Sequence, residues 1–168
     1  MTQYTEYFGG TEYRFTLTHA GKLYPGDPFP HVEEHTTYYP AGVIAFGVEG
    51  RVLPEGELGG PTLHIFDTAT GQEYLRFDAF PGFEHYHYLM PGVSNHVVGF
   101  DGAANGDFVT WLLDRVKHAL PQLLGQTGGA GLVPQLDAKL VKDALAPIEA
   151  ALRHSELSLA NLRTARNI

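Results

Sequence analysis

Residues 73–90 read EYLRFDAFPGFEHYHYLM, two short alternating runs on either side of a proline–glycine turn. A strand sends successive side chains to opposite faces, so two such runs joined tightly fix which residues share a face. In the first run Leu75, Phe77 and Ala79 fall on one side and Tyr74, Arg76 and Asp78 on the other. In the second, Tyr86 and Tyr88 alternate with His85 and His87. Setting the tyrosines beside the apolar residues is a favourable cross-strand pairing. It puts Phe77 opposite Tyr86 and Leu75 opposite Tyr88. Asp78 then faces His85, and Arg76 faces His87.

The preceding run, TLHIFD at 62–67, extends the same logic. Its apolar pair, Leu63 and Ile65, matches Phe77 and Leu75 across the TATGQ loop, which brings His64 opposite Arg76. A one-residue slip would set Leu63 against Arg76, which a buried face forbids. One sheet surface is therefore expected to gather His64, Arg76, Asp78, His85 and His87 from three adjacent strands. His96 joins them if the loop beginning at PGVS has four residues; a three-residue loop sends it to the tyrosine side. The competing expectation is an ordinary polar face left in water.

Glycine–proline punctuation surrounds this hairpin: PGDPFP, PEGELGGP, FPGF, PGVSN. It separates strand-like runs at 12–19, 41–52, 62–67, 73–79, 84–90 and 95–100. Beyond residue 103 the period changes. DFVTWLLDRVKHAL (107–120) places Phe108, Trp111, Leu112 and Val116 on one helical stripe, with Asp107 as N-cap. A second helix is expected over 136–154, kinked or split at Pro147, with a further turn or two at 155–165. The predicted fold is α+β: an antiparallel meander of about six strands over residues 12–100, covered on one face by two or three C-terminal helices. Residues 1–168 are expected to form a single domain, with a sheet part (1–103) and a helical part (104–168). GQTGGAG, residues 125–131, reads as a flexible joint between the helices.

Composition removes several function classes. Eleven basic against nineteen acidic residues give a net charge of −8, with no basic block, which argues against binding nucleic acid through its phosphates. No run approaches the roughly 18 apolar residues that span a membrane, and no leader pattern opens the chain, so a cytoplasmic protein is expected. Cysteine is absent, so thiolate ligands, disulfides and a cysteine nucleophile are excluded. No phosphate-loop motif is present, and no nucleotide cofactor is expected.

The chemistry points to the histidine face. His-x-His on a strand sets two imidazoles on one side, about 7 Å apart at the backbone, which lets them share one metal ion. Candidate ligands are His85 and His87, with a third from Asp78, Glu84, His64 or His96. Two imidazoles and a carboxylate leave open positions, as in catalytic zinc or non-haem iron sites, so one divalent metal is expected, zinc or iron ahead of magnesium. Arg76 is placed to hold an anionic substrate group. A metal-free alternative uses the same residues, with Asp78 orienting His85 as acid or base and Arg76 holding an oxyanion. Two further alternatives are a non-enzymatic small-ligand protein and an assembly protein, with a symmetric homodimer that combines two sheet faces.

HVEEH, residues 31–35, matches the spacing of an inverted zinc-protease motif, which needs a helix. Pro28 and Pro30 before it and TTYYP after it oppose one. A loop entering a strand is expected, with His31 or His35 available to fold over the sheet face.

RFDAF…EHYHYLMPG, followed by a tryptophan-bearing amphipathic helix, resembles a motif of small uncharacterised bacterial proteins over residues 73–115. The resemblance implies no activity. Cupin barrels also carry a strand His-x-His, but add a nearby glutamate that is missing here between His87 and the next turn.

Overall fold

The computed structural model describes residues 2–53 and 58–166, so residues 54–57 of the PEGELGGP turn lie outside the described residues. All six expected runs are strands: β2 (Thr11–Leu17), β5 (Ile44–Val52), β6 (Leu58–Asp67), β7 (Glu73–Asp78), β8 (His85–Met90) and β9 (Ser94–Gly99). Three more join them, β1 (Gln3–Phe8), β3 (Gly21–Pro25) and β4 (Thr36–Ala41), giving nine where about six were expected. β1 and β2 form a hairpin whose turn, Gly9–Gly10, needs positive φ at both residues (55° and 78°).

The sheet is antiparallel, in the order β1-β2-β3-β9-β8-β7-β6-β5-β4. It is a simple meander from β4 to β9. The departure is β3, which pairs with β9 rather than with β4. The connection from β3 to β4 must therefore cross six strand spacings, about 29 Å on a flat sheet. Its ten residues, 26–35, reach about 33–36 Å when fully extended, enough for this strap to span that distance. It crosses the face opposite the helices: the Phe29 ring lies 6.5 Å from His87, and the His31 ring 5.4 Å from His64. HVEEH is accordingly not a zinc-protease helix; residues 33–35 form one 3-10 turn leading into β4.

The registers of the central strands are those the alternation requires. Leu63 pairs with Phe77, His64 with Arg76 and Ile65 with Leu75. Phe77 pairs with Tyr86, Leu75 with Tyr88, Arg76 with His87 and Asp78 with His85. One local error comes from a bulge. After Ile65–Leu75 the next pair is Phe66–Glu73, so Tyr74 has no partner. The extra residue reverses the facing of what precedes it. Glu73 joins the polar face, and Tyr74 packs against the helix-side core instead of lying beside Arg76.

Two helices cover the apolar face: α2 (Phe108–Gly125) and α3 (Ala138–Arg166), after a short α1 (Gly102–Asn105). Leu63, Ile65, Leu75 and Phe77 are completely buried in one cluster with Leu112, Val116, Ile148 and Leu152. Asp107 caps α2, accepting a 2.9 Å bond from the Thr110 amide, and also accepts from Arg153 of α3 at 2.7 Å. The Arg153 bond is the main reason its carboxyl is pulled down to about 2.

α2 runs past residue 120 across a break at Ala119 (φ −136°), two residues ahead of Pro121. Pro147 neither ends nor splits α3, because it and Asp143, whose carbonyl loses its intrahelical donor, both lie on the exposed side. The 125–131 segment is a packed turn rather than a flexible joint. Thr127 is buried, its hydroxyl donating to the Leu124 carbonyl at 2.7 Å. Gly128 and Gly129 abut Pro91 and Tyr74 so closely that a Cβ would sit 2.7 Å and 2.6 Å from their side-chain atoms. These glycines allow close approach rather than movement.

Candidate metal centre beneath the strap

The face that the competing expectation left in water is buried. Glu49, Thr62, His64, Glu73, Arg76, Asp78, His85, His87 and Asn95 are each 5% exposed or less. Burying so many polar groups is costly unless each is partnered, and no buried side-chain nitrogen or oxygen among the described residues lacks a hydrogen-bond partner. Seven of them lie in two transverse rows. Glu49, Thr62, Asp78 and His85 occupy consecutive strands β5 to β8, and Gly47, His64, Arg76 and His87 form the row beside them.

The second row builds a charge network around His64. Its Nε2 bonds Glu49 Oε1 at 2.8 Å, and its Nδ1 bonds Glu73. Arg76 donates twice to Glu73, from Nε at 3.1 Å and from Nη2 at 2.5 Å. Burial alone would lower the His64 pKa, but Glu73 and Glu49 together outweigh it and raise it. Burial would raise the Glu73 carboxyl, yet Arg76 and His64 hold it far below the carboxylate range. His64 is thus clamped between two carboxylates with both ring nitrogens used, an arrangement that favours the imidazolium.

Asp78 and the two histidines of β8 form a different arrangement. Asp78 Oδ1 accepts from the Thr62 hydroxyl at 2.6 Å. Asp78 Oδ2 lies 3.0 Å from His85 Nε2 and 2.8 Å from His87 Nε2. Each imidazole is held from behind through Nδ1: His85 by the Phe83 carbonyl at 2.8 Å, His87 by the Asn95 side-chain oxygen at 2.8 Å. The Asn95 amide is oriented in turn, its Nδ2 donating to Asp27 Oδ1 of the strap at 3.4 Å. An acceptor behind Nδ1 requires the proton there, so a neutral ring carries its lone pair on Nε2.

Burial pushes the His87 pKa down, and Asp78 does not restore it. Burial raises the Asp78 carboxyl, but its bonds with His85 and His87 more than offset this and hold it well below its usual value. If both imidazoles are neutral, their Nε2 lone pairs face a carboxylate oxygen. A cation relieves such a cluster: a proton on each ring, or one metal ion among all three. The three ligand atoms lie within 4.8 Å of one another. The donor set fits a divalent transition metal: two imidazoles and one carboxylate, with the orienting bonds behind each ring that metal-bound histidines usually make.

The triad opens onto a cavity of about 460 Å³ that Arg76 also lines. Its sides come from both ends of the sheet, Phe8 and Tyr13 from the β1–β2 hairpin and Arg51 and Val52 from β5, so the sheet curls around it. Phe29 and Pro30 of the strap form part of the wall.

The expected ligands are only partly assembled. Asp78, His85 and His87 converge. His64 shares their face but is engaged by Glu49 and Glu73. Glu84 stays in the turn, accepting from the Gly82 amide at 3.2 Å. The loop after β8 spans three residues, with Met90 paired to Ser94, so His96 pairs with Tyr88 on the tyrosine side and bonds Thr18 at 2.9 Å. Asn95 takes the facing His96 would have had in the longer loop. The alternation already placed Thr62 on this face, though not its bond to Asp78. Glu73 was hidden by the bulge, and Glu49 lies in a run too irregular to assign. His31 does fold over the face, stacking near His64 and Phe66, but the triad is complete without it.

Residues 38–152 match the model of a domain of unknown function, DUF7700. The chain belongs to this family. The DUF7700 match includes Thr62, Asp78, His85, His87 and Asn95, whereas β1 to β3 and the strap lie outside it. The family carries no assigned activity, and no curated protein and no solved structure matches the chain. No helix among the described residues of this DUF7700 protein is long and apolar enough to cross a membrane.

Proposed function

We propose that this protein is a metal-dependent enzyme acting on a small molecule, with one divalent transition metal held by Asp78, His85 and His87 at the floor of the cavity. The observation that carries the reading is the pair of Nδ1 bonds, to the Phe83 carbonyl and to Asn95. They fix both tautomers so that Nε2 of each ring turns toward Asp78 Oδ2. Imidazole donors favour zinc or iron over magnesium. Three protein ligands leave positions open on the cavity side, where a bound metal supplies Lewis acidity or an acidified water. Asp78 contributes the one anionic ligand, and Thr62 fixes its second oxygen. Asn95 and the Phe83 carbonyl orient the rings. Arg76, bonded twice to Glu73, holds the neighbouring strand row rather than reaching for a substrate.

A metal-free reading draws on the same contacts: His85 faces the cavity and lies 3.0 Å from Asp78, so it would act as acid or base. Elemental analysis separates the two. The metal reading expects about one zinc or iron per chain, lost in His87→Ala and restored to the stripped wild type by adding the metal. Failure to take up any first-row divalent ion at micromolar concentration would leave the metal-free reading standing.

A further inference from the structure

The walls of the cavity point to the kind of molecule it takes. Seven phenylalanine and tyrosine rings line it: Tyr7, Phe8, Tyr13, Tyr24, Phe29, Phe80 and Phe83. They reach the triad itself. Phe83 and Phe80 lie 4.4 and 5.3 Å from the His85 ring, centroid to centroid. Phe29 lies 6.5 Å from His87 and joins Tyr13 at 5.0 Å and Tyr24 at 5.1 Å, so the wall is continuous from mouth to floor. Offset and edge contacts at these spacings are how rings bind rings.

The cationic side chains of the wall are already engaged. Arg76 is paired with Glu73. Arg51 bonds Glu49 at 3.3 Å and the Pro30 carbonyl at 3.1 Å. A ligand carrying a remote carboxylate or phosphate would have to compete with these internal partners. Charge is left uncancelled at the floor, where a divalent ion with neutral imidazoles and one carboxylate keeps one net positive charge. The volume, about 460 Å³, is in the ordinary range for small-molecule sites.

We infer that the ligand is an aryl compound bearing an ionisable oxygen donor, such as a phenol or an enol, with its ring against the aromatic wall and its oxygen turned to the metal. This inference rests on the metal reading above and adds the ligand class. The earlier expectation of an anion pinned by Arg76 gives way to an anion formed at the metal.

The test uses full-length protein loaded with Co(II), whose visible spectrum reports ligands entering the metal's coordination shell. Two hydroxamates share one chelating head and differ in the ring: benzohydroxamate and acetohydroxamate. Benzohydroxamate is expected to bind at least tenfold more tightly. Phe83→Ala, at a side chain exposed enough to leave the fold intact, is expected to bring that ratio down severalfold. Equal affinity for the two probes, or a ratio untouched by both Phe83→Ala and Phe29→Ala, overturns the aryl assignment while leaving the metal site in place. Absence of Co(II) uptake overturns both.

Discussion

Asp78→Asn distinguishes the two cations that the triad can hold. The amide is isosteric with the carboxylate. Its oxygen can still accept from the Thr62 hydroxyl, at the position of the present 2.6 Å bond. Its NH2 group replaces Oδ2, which faces two ring nitrogens at 3.0 and 2.8 Å. If the rings are neutral with lone pairs on Nε2, the two N–H groups meet two acceptors and every atom is satisfied. The metal-free variant should then melt no lower than metal-free wild type, since donors replace a carboxylate oxygen that faced two lone pairs. If instead the rings are both imidazolium, N–H meets N–H and two buried cations lose their counter-ion. Breaking a buried pair costs roughly 3–5 kcal/mol. An unfolding entropy near 2.1 cal/mol/K per residue gives about 0.35 kcal/mol/K for 168 residues, so that cost is a fall of roughly 9–14 °C. Calorimetry at pH 7.5 with chelator reads the difference, and elemental analysis of the metal-loaded variant should show metal binding lost or severely weakened. A drop near 10 °C without metal, or a variant that keeps full metal occupancy, would refute the reasoning.

Three further outcomes follow from the same contacts. His96→Ala should leave metal content unchanged, because His96 lies on the tyrosine side with Thr18; loss of metal would show that the β8–β9 register is wrong. In the metal-free protein, stability should fall as pH rises above about 6.5. His64 has a raised folded-state pKa, so its contribution is complete below the unfolded value of 6.5 and is lost as pH climbs through the folded one. His31, His87 and His96, shifted downward, act in the opposite sense only below that value, so urea midpoints at pH 6.5 and 9 isolate His64, and His64→Gln should flatten the difference. Gly129→Ala should destabilise by about 1–3 kcal/mol, as overpacking does, because its Cβ would meet the base of the Tyr74 ring at 2.6 Å. A neutral result on denaturation would restore the view of 125–131 as a free joint.

The sequence made the middle of the sheet legible and the outer parts much less so. Leu63, Ile65, Leu75 and Phe77 need a buried face, and that need alone sets the registers that bring Asp78 to His85 and Arg76 to His87. β1 and β4 are edge strands with largely exposed side chains, so no apolar alternation marks them. β3 shows itself only through its partner β9, about seventy residues later, a pairing that no local pattern encodes. Alternation misplaces Tyr74, because a single unpaired residue reverses it without altering composition. The face carrying the triad was legible. Its burial was not, because the strap that covers it is recognisable only once β3 is known to lie far from β4.

That same placement of β3 orders the assembly of the molecule in time. β4 to β9 are joined by consecutive hairpins, and the residues that pair in them are close along the chain. Leu23 must find His96 before β3 can dock, and closing so long a loop is the slow, entropically costly part of building a sheet. The triad's strands are therefore expected to form early, and the wall contributed by Tyr13, Tyr24 and Phe29 to arrive late. The late segment is also the natural unit of partial opening. Native-state hydrogen exchange should find the amides of β1 to β3 opening together at lower free energy than those of β6 to β8. The protein would then expose its candidate metal ligands without unfolding the sheet that carries them.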